Sequence, residues 1–238
     1  MTDKKINYRK RFESYFVENN RIEAEREIII LPSGKYKLII DGYKVDPNDK
    51  DPRVTRGIVK KLKEESVIAD IKRNINYFFY HWIIHPNHDE YLLCAENYQG
   101  YTLVNLSKKV TQSFLPEEAK EGMGFIWSTV YPSPDKLVLA VVGCVWGMNQ
   151  EVRFYDFSNP DVLPLKELGK FDERKDTKVI GWENNDTFVI GIEHWRRKSD
   201  NKRFEELSLT EQDELDNDPD RLVSIEVENF IKWHRFNP

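Results

Sequence analysis

Four segments of this 238-residue chain repeat one pattern, a tight turn followed by an apolar run: LPSGKYKLII from Leu31, HPNHDEYLLC from His85, YPSPDKLVLA from Tyr131 and WENNDTFVIG from Trp182. A repeat constrains a fold more than any single motif, because equivalent units must stack on one another to bury their apolar faces. In each copy Pro, Ser, Asn, Asp or Gly supplies the turn, and the β-branched or aromatic run after it has the length of a strand buried on both faces. An apolar strand precedes each turn, over 26–30, 78–84, 125–130 and 178–181. Further strand-like pieces follow, over 56–62 and 66–71, 101–106 and 110–115, 151–157 and 163–168, and 221–227 and 230–236. That is about four strands per repeat, the content of one propeller blade, in a single domain over 1–238 with approximate repeats 24–74, 75–116, 122–171 and 175–237.

Each apolar run leads into a triplet: Asp41-Gly42-Tyr43, Glu96-Asn97-Tyr98, Cys144-Val145-Trp146 and Glu193-His194-Trp195. In three copies the triplet's aromatic falls seven residues past an aromatic anchor, from Tyr36 to Tyr43, Tyr91 to Tyr98 and Phe188 to Trp195. Leu137 is the matching position in the third, which needs two extra residues before Trp146. If the strand after each turn is the second in its sheet, all four triplets sit at its far end, and in a radial array those ends point to one face. Tyr43, Tyr98, Trp146 and Trp195 would ring that face, with Asp41, Glu96 and Glu193 beside three of them. Aromatic rings next to carboxylates favour a cation, at roughly 0.5 to 2 kcal/mol per contact with Arg or Lys. The competing reading is structural: large aromatics at strand ends fill the wedge between neighbouring sheets, and the acids satisfy loop amides.

The third repeat, YPSPDKLVLAVVG followed by EVRFYDFSN, resembles a blade of the WD40-like β-propeller superfamily, with Tyr155-Asp156 standing where that family carries Trp-Asp. The resemblance implies an all-β fold, a small four-bladed β-propeller, and a tendency to serve as a binding platform; it carries over no catalytic residue. Two other arrangements fit the same repeats: an open ring that pairs with a second chain, and a twisted multi-sheet fold that is not radial. Oligomeric state stays open.

Two segments fall outside the repeat. Residues 6–20, INYRKRFESYFVENN, place Tyr8, Phe12, Tyr15 and Phe16 on one helical face opposite Arg9, Lys10, Glu13 and Glu18, which predicts a short N-terminal helix. The insertion over 196–220 begins with Arg196, Arg197, Lys198, Lys202 and Arg203, then runs from Glu205 to Asp220 with eight acids and no base. Ser208 and Glu211 have capping-box spacing, which predicts a short helix over about 209–215 within a polar, mobile hairpin tip.

The net charge of -5, from 36 basic and 41 acidic side chains, leaves no general excess of Lys and Arg to displace counterions from phosphates. Neither nucleic acid nor an anionic membrane is the expected partner. The start of the chain has no apolar core of a leader, and its longest apolar stretch, 137–146, is about half a membrane span. The expectation is a soluble, cytoplasmic protein. Cys94 and Cys144 are too few for a disulfide framework or a four-thiolate zinc site and read as buried free thiols.

In HPNHDE, His85, His88 and Asp89 offer nitrogen and oxygen ligands within five residues, with His81 nearby. The alignment explains them otherwise, since the shared feature of these turns is an Asp able to bond its own backbone. No phosphate-binding glycine loop, nucleophile elbow, paired CxxC or HExxH is present. The expected function is therefore non-enzymatic binding of a protein or basic peptide, without a cofactor, through the triplet face. The alternative is an enzyme or small-ligand binder, metal included, at the central mouth, recruiting Glu96, Glu193 and His194.

Overall fold

The computed structural model describes residues 12–96, 100–121, 124–145, 150–172, 177–224 and 229–235. The fold is all-β, with several antiparallel sheets laid out in chain order. The first sheet is a meander of β1 (Arg21–Ile30), β2 (Tyr36–Tyr43), β3 (Val54–Lys61) and β4 (Val67–Arg73). The second repeats it with β5 (Tyr80–Ile84), β6 (Glu90–Glu96), β7 (Gly100–Asn105) and β8 (Val110–Phe114), and the third with β9 (Phe125–Pro132), β10 (Val138–Val145), β11 (Gln150–Asp156) and β12 (Glu167–Asp172). The fourth contains β13 (Thr177–Trp182), β14 (Thr187–Ile192) and β17 (Asn229–His234), three strands instead of the expected four. Its missing partner is β16 (Leu222–Ser224), which pairs with β15 (Trp195–Arg197) in a separate two-stranded sheet. No helix among the described residues is long and apolar enough to cross a membrane.

The turns form where the sequence places them, and side chains close them. Asp135 Oδ1 accepts from the Leu137 amide at 3.1 Å and from Ser133 Oγ. In the second and fourth copies the residue two positions earlier takes that role: Asn87 Oδ1 accepts from the Asp89 amide and Asn184 Oδ1 from the Asp186 amide. Two bonds to the third turn also tie the third sheet to the fourth. Arg235, at the end of β17, donates to Asp135 at 2.9 Å, and Asn185 Oδ1 accepts from the Asp135 amide.

Three apolar cores join the sheets in sequence. Tyr36, Leu38 and Ile40 of β2 pack on Leu92 and Cys94 of β6; Tyr91 and Leu93 on the other face of β6 pack on Leu139 and Val141 of β10; Val138 and Ala140 of β10 meet Phe188 and Ile190 of β14. Both faces of the middle strands are thus buried, which is why they read as unbroken apolar runs. Among the described residues no such core joins the fourth sheet to the first.

This packing corrects one aligned position. Tyr91 faces the following sheet, as Tyr36 does, whereas Phe188 faces the preceding one. Side chains alternate across a strand, so a one-residue offset in the fourth copy exchanges its two faces. Val138, not Leu137, occupies the equivalent place in the third sheet.

The two segments outside the repeat also differ from expectation. Within 12–20 the chain forms 3-10 turns at Glu13–Tyr15 and Glu18–Asn20, and Val17 between them is extended, so no continuous helix spans 6–20; residues 6–11 lie outside the described residues. The insertion holds α1 (Leu209–Asp216), with Ser208 and Glu211 capping reciprocally as their spacing predicts. Rather than a bare polar tip, it buries Leu207 and Leu215, and Arg197 bridges Asp200 and Glu211 at 2.6 and 2.8 Å.

A half-buried polar cluster ties the second sheet to the loop after β11. Asp161 accepts from Tyr91 Oη at 2.9 Å, Asn105 Nδ2 at 3.0 Å and Lys108 Nζ at 2.6 Å, and Asp89 accepts from Lys108 and Asn105. The Lys108 hydrogen bond holds the Asp89 carboxyl below its ordinary range; for Asp161, burial opposes that direction but the bonds from Lys108, Asn105 and Tyr91 outweigh it. Depressed carboxylates contribute stability that is complete above their unfolded pKa, about 4, and is lost as pH falls through the lower folded values. Urea unfolding should therefore show stability falling below about pH 4, with a shallower fall in Asp161→Asn; equal slopes in the two proteins would remove Asp161 as a source of the acid sensitivity.

Candidate functional site

The triplets do not share one environment. Asp41 is buried and paired with Arg26 at 3.0 Å, and Tyr43, 3% exposed, packs edge-on against Phe16 at 5.3 Å between ring centres. Tyr43 is a buried structural residue at this corner, not an exposed ring member. Trp195 is 39% exposed, but it begins β15 in the two-stranded sheet. Glu193 lies 3.7 Å from Lys178, and His194 Nδ1 contacts Glu205 of the insertion. Glu96 ends β6 opposite Gly100. Its side chain, and Tyr98 and Trp146 entirely, lie outside the described residues.

The histidines in and beside HPNHDE take separate places. His85 is buried, its Nε2 is 2.9 Å from the Phe157 carbonyl, and its ring stands edge-on to Tyr91 and Phe157. His88 takes the left-handed conformation of the turn, φ 68°. His81 sits on β5, where burial lowers its imidazole pKa. Among the described residues no group of three or more His, Cys, Asp or Glu could hold a metal ion. Neither cysteine is in a disulfide; Cys94 is buried and Cys144 half-buried.

Among the described residues, two clefts of ligand size open between successive sheets, beside the strand ends that carry the triplets. The larger, about 390 Å³, lies between the second and third sheets and lies in the size range of ligand pockets. Its mouth includes Gly100, which pairs with Glu96, and Phe125, which pairs with Val145. The walls are aromatic: Tyr101 stacks on Trp127 at 4.6 Å, Tyr155 lies 5.5 Å from Trp127, and Phe114 lies 5.5 Å from Tyr101. Tyr101 Oη accepts from the Leu165 amide at 2.7 Å, which fixes the ring. Desolvation raises the Tyr101 and Tyr155 phenols, keeping both neutral.

The charge in this cleft is arranged around Arg153. Its guanidinium lies 4.2 Å above the Phe125 ring and is bonded to Glu151, with Glu167 at 3.6 Å. Glu118 and Glu167 are exposed lining residues, so a single cation is set among more than one carboxylate.

The smaller cleft, about 330 Å³, lies between the first and second sheets and includes Gly42 of the first triplet. Tyr77, Phe78 and Tyr80 supply its aromatic surface, and Glu25 and Glu27 of β1 its charge. Phe78 lies where a Cβ on Gly57 would be 2.2 Å from its ring, so the absent side chain of Gly57 is what lets the ring seat on β3. The corresponding space between the third and fourth sheets is filled by Phe154, Trp182, Phe188 and Trp233. These four aromatics come from β11, the end of β13, β14 and β17, and none of them belongs to a triplet.

Residue-by-residue reading missed the clefts because their walls come from separate segments. The available signals were the alternating acids of β1, IEAERE, and the Glu-Val-Arg-Phe-Tyr run of β11, both at period two.

No protein-family model matches the chain. The chain is similar to an uncharacterized protein of Acanthamoeba polyphaga mimivirus, 28% identical over 227 residues, which cover 92% of this chain and 83% of that protein. Among solved structures, TolB from Acinetobacter baumannii aligns with 70% of this chain and 51% of that chain, at 11% identity and a TM-score of 0.26.

Proposed function

We propose that this chain is a non-enzymatic, propeller-like module that binds a protein or peptide bearing basic side chains, through the two clefts at the triplet-bearing ends of its sheets. The observation that carries the reading is the pairing of aromatic walls with rim carboxylates in both clefts. Rigid aromatics contribute contact area at low entropic cost and are enriched among interface anchors. Carboxylates beside them select a cationic partner electrostatically. Successive sheet-on-sheet cores support a propeller-like arrangement, since each four-stranded meander acts as one unit against its neighbours.

Calorimetric titration with peptides matched in length and apolar content, one set rich in Arg and Lys and the other in Asp and Glu, tests the reading. The basic set should bind, more weakly as salt is raised, and the acidic set should not. Reversing the larger cleft's rim with Glu118→Lys and Glu167→Lys should weaken the basic peptides about tenfold or more, about 1.4 kcal/mol. Equal binding of both sets, or of neither, would refute it.

A further inference from the structure

The smaller cleft differs from the larger in having no cation among its described lining residues, where Arg153 lines the larger. The basic residues around Glu25 and Glu27 are engaged elsewhere, Arg21 with Glu18 and Glu23, and Arg26 with Asp41 on the opposite face of β1. Among the described residues, neither Glu25 nor Glu27 has an ion-pair partner, in contrast to Glu151 and Glu167 around Arg153. Both are exposed at the cleft, and Glu27 lies close enough to Tyr80 for its charge to help raise the phenol, second to burial. Tyr77, 62% exposed on the loop between β4 and β5, offers a ring to an incoming group.

The site is also shaped. Gly42 lines it, and Pro52 and Glu25 close over this glycine, since a Cβ there would lie 2.8 Å from Pro52 and 3.2 Å from Glu25. Thr55 Oγ1 donates to the Ile75 carbonyl at 3.0 Å, holding the start of the Tyr77 loop against β3. The loop that carries the aromatic surface is thus anchored rather than draped.

We infer that this cleft is the subsite for an arginine side chain of the partner, the guanidinium lying on the tyrosine surface and donating to Glu25 and Glu27. A planar guanidinium has five donors in a fixed fork and a weakly hydrated face that stacks on aromatics, so it can serve two carboxylates and a ring at once. An ammonium is a compact, strongly hydrated point charge and cannot span them in the same way. The inference rests on the peptide-binding reading above and assigns one of its two clefts.

The test uses the full chain and small probes: N-acetyl-arginine amide, the corresponding lysine amide, and the citrulline amide, which keeps the shape of arginine without its charge. Nuclear magnetic resonance should show saturable shifts at Tyr77 and Tyr80 with the arginine probe, weaker ones with lysine and none with citrulline. Glu25→Gln combined with Glu27→Gln, both exposed positions, should reduce arginine affinity about tenfold or more while leaving the melting temperature unchanged. Equal response to lysine or citrulline, or unchanged affinity in the double variant, overturns the assignment. If basic peptides still bind and depend only on Glu118 and Glu167, the subsite falls while the broader function stands; if the arginine probe binds here and no peptide does, the broader function falls and the subsite stands.

Discussion

Phe154→Ala should lower stability by about 3–5 kcal/mol, whereas Trp195→Ala should cost less than about 1 kcal/mol. Phe154 is fully buried on β11, stacked on Trp233 at 3.9 Å with an interplanar angle of 3°, and meets Phe188 and Trp182 edge-on. Its removal leaves a void at the centre of the only large aromatic cluster joining the third and fourth sheets among the described residues. The neighbours cannot collapse into it, because Trp182 is held by its Nε1 bond to the Tyr131 carbonyl at 2.8 Å. Trp195 has no comparable enclosure. Urea unfolding of the two variants measures both quantities. A loss below about 2 kcal/mol at Phe154 would mean that the fourth sheet is not packed against the third, and a large loss at Trp195 would make the two-stranded sheet part of the core.

The contrast shows what kind of information the sequence holds. Strand positions and turn positions were legible because they depend on local chemistry: Pro, Asn, Asp and Gly mark the bends, and the apolar runs of β2, β6, β10 and β14 announce burial on both faces. The facing of a strand was less legible, since it depends on register. Aligning Phe188 with Tyr91 by spacing gave the right strand and the wrong face. The triplets illustrate the same limit. Asp41-Gly42-Tyr43 and Glu193-His194-Trp195 follow equivalent apolar runs, yet one continues β2 into a buried corner under Phe16 and the other leaves β14 for β15. What they do share is an end of the sheet, and the clefts open beside the described strand ends. The lining of the larger cleft was not legible, because Tyr101, Phe125, Arg153 and Leu165 lie far apart in the chain and each is unremarkable in its own segment.

Gly143→Ala is the second substitution with a large expected effect, and it links packing to the proposed site. Gly143 lies in β10 at the irregularity between Val142 and Gly143, opposite Trp127. A Cβ there would lie 2.0 Å from the Ile126 carbonyl oxygen and 2.7 Å from Phe125 Cζ. The ring could turn aside, but the carbonyl belongs to β9 and can move only if the strand pairing gives way. The expected cost is about 1–3 kcal/mol, as for other insertions into a filled space. Because Phe125 supports Arg153 and walls the larger cleft, the strain should also reach the site: Trp127 fluorescence should change and basic peptides should bind less tightly, while arginine-probe shifts at Tyr77 and Tyr80 persist. Loss of both responses together would indicate general unfolding, which the melting curve detects. A variant as stable as the parent, with unaltered peptide affinity, would mean that β9 yields without disturbing the cleft, and that Phe125 is not the element through which the backbone shapes it.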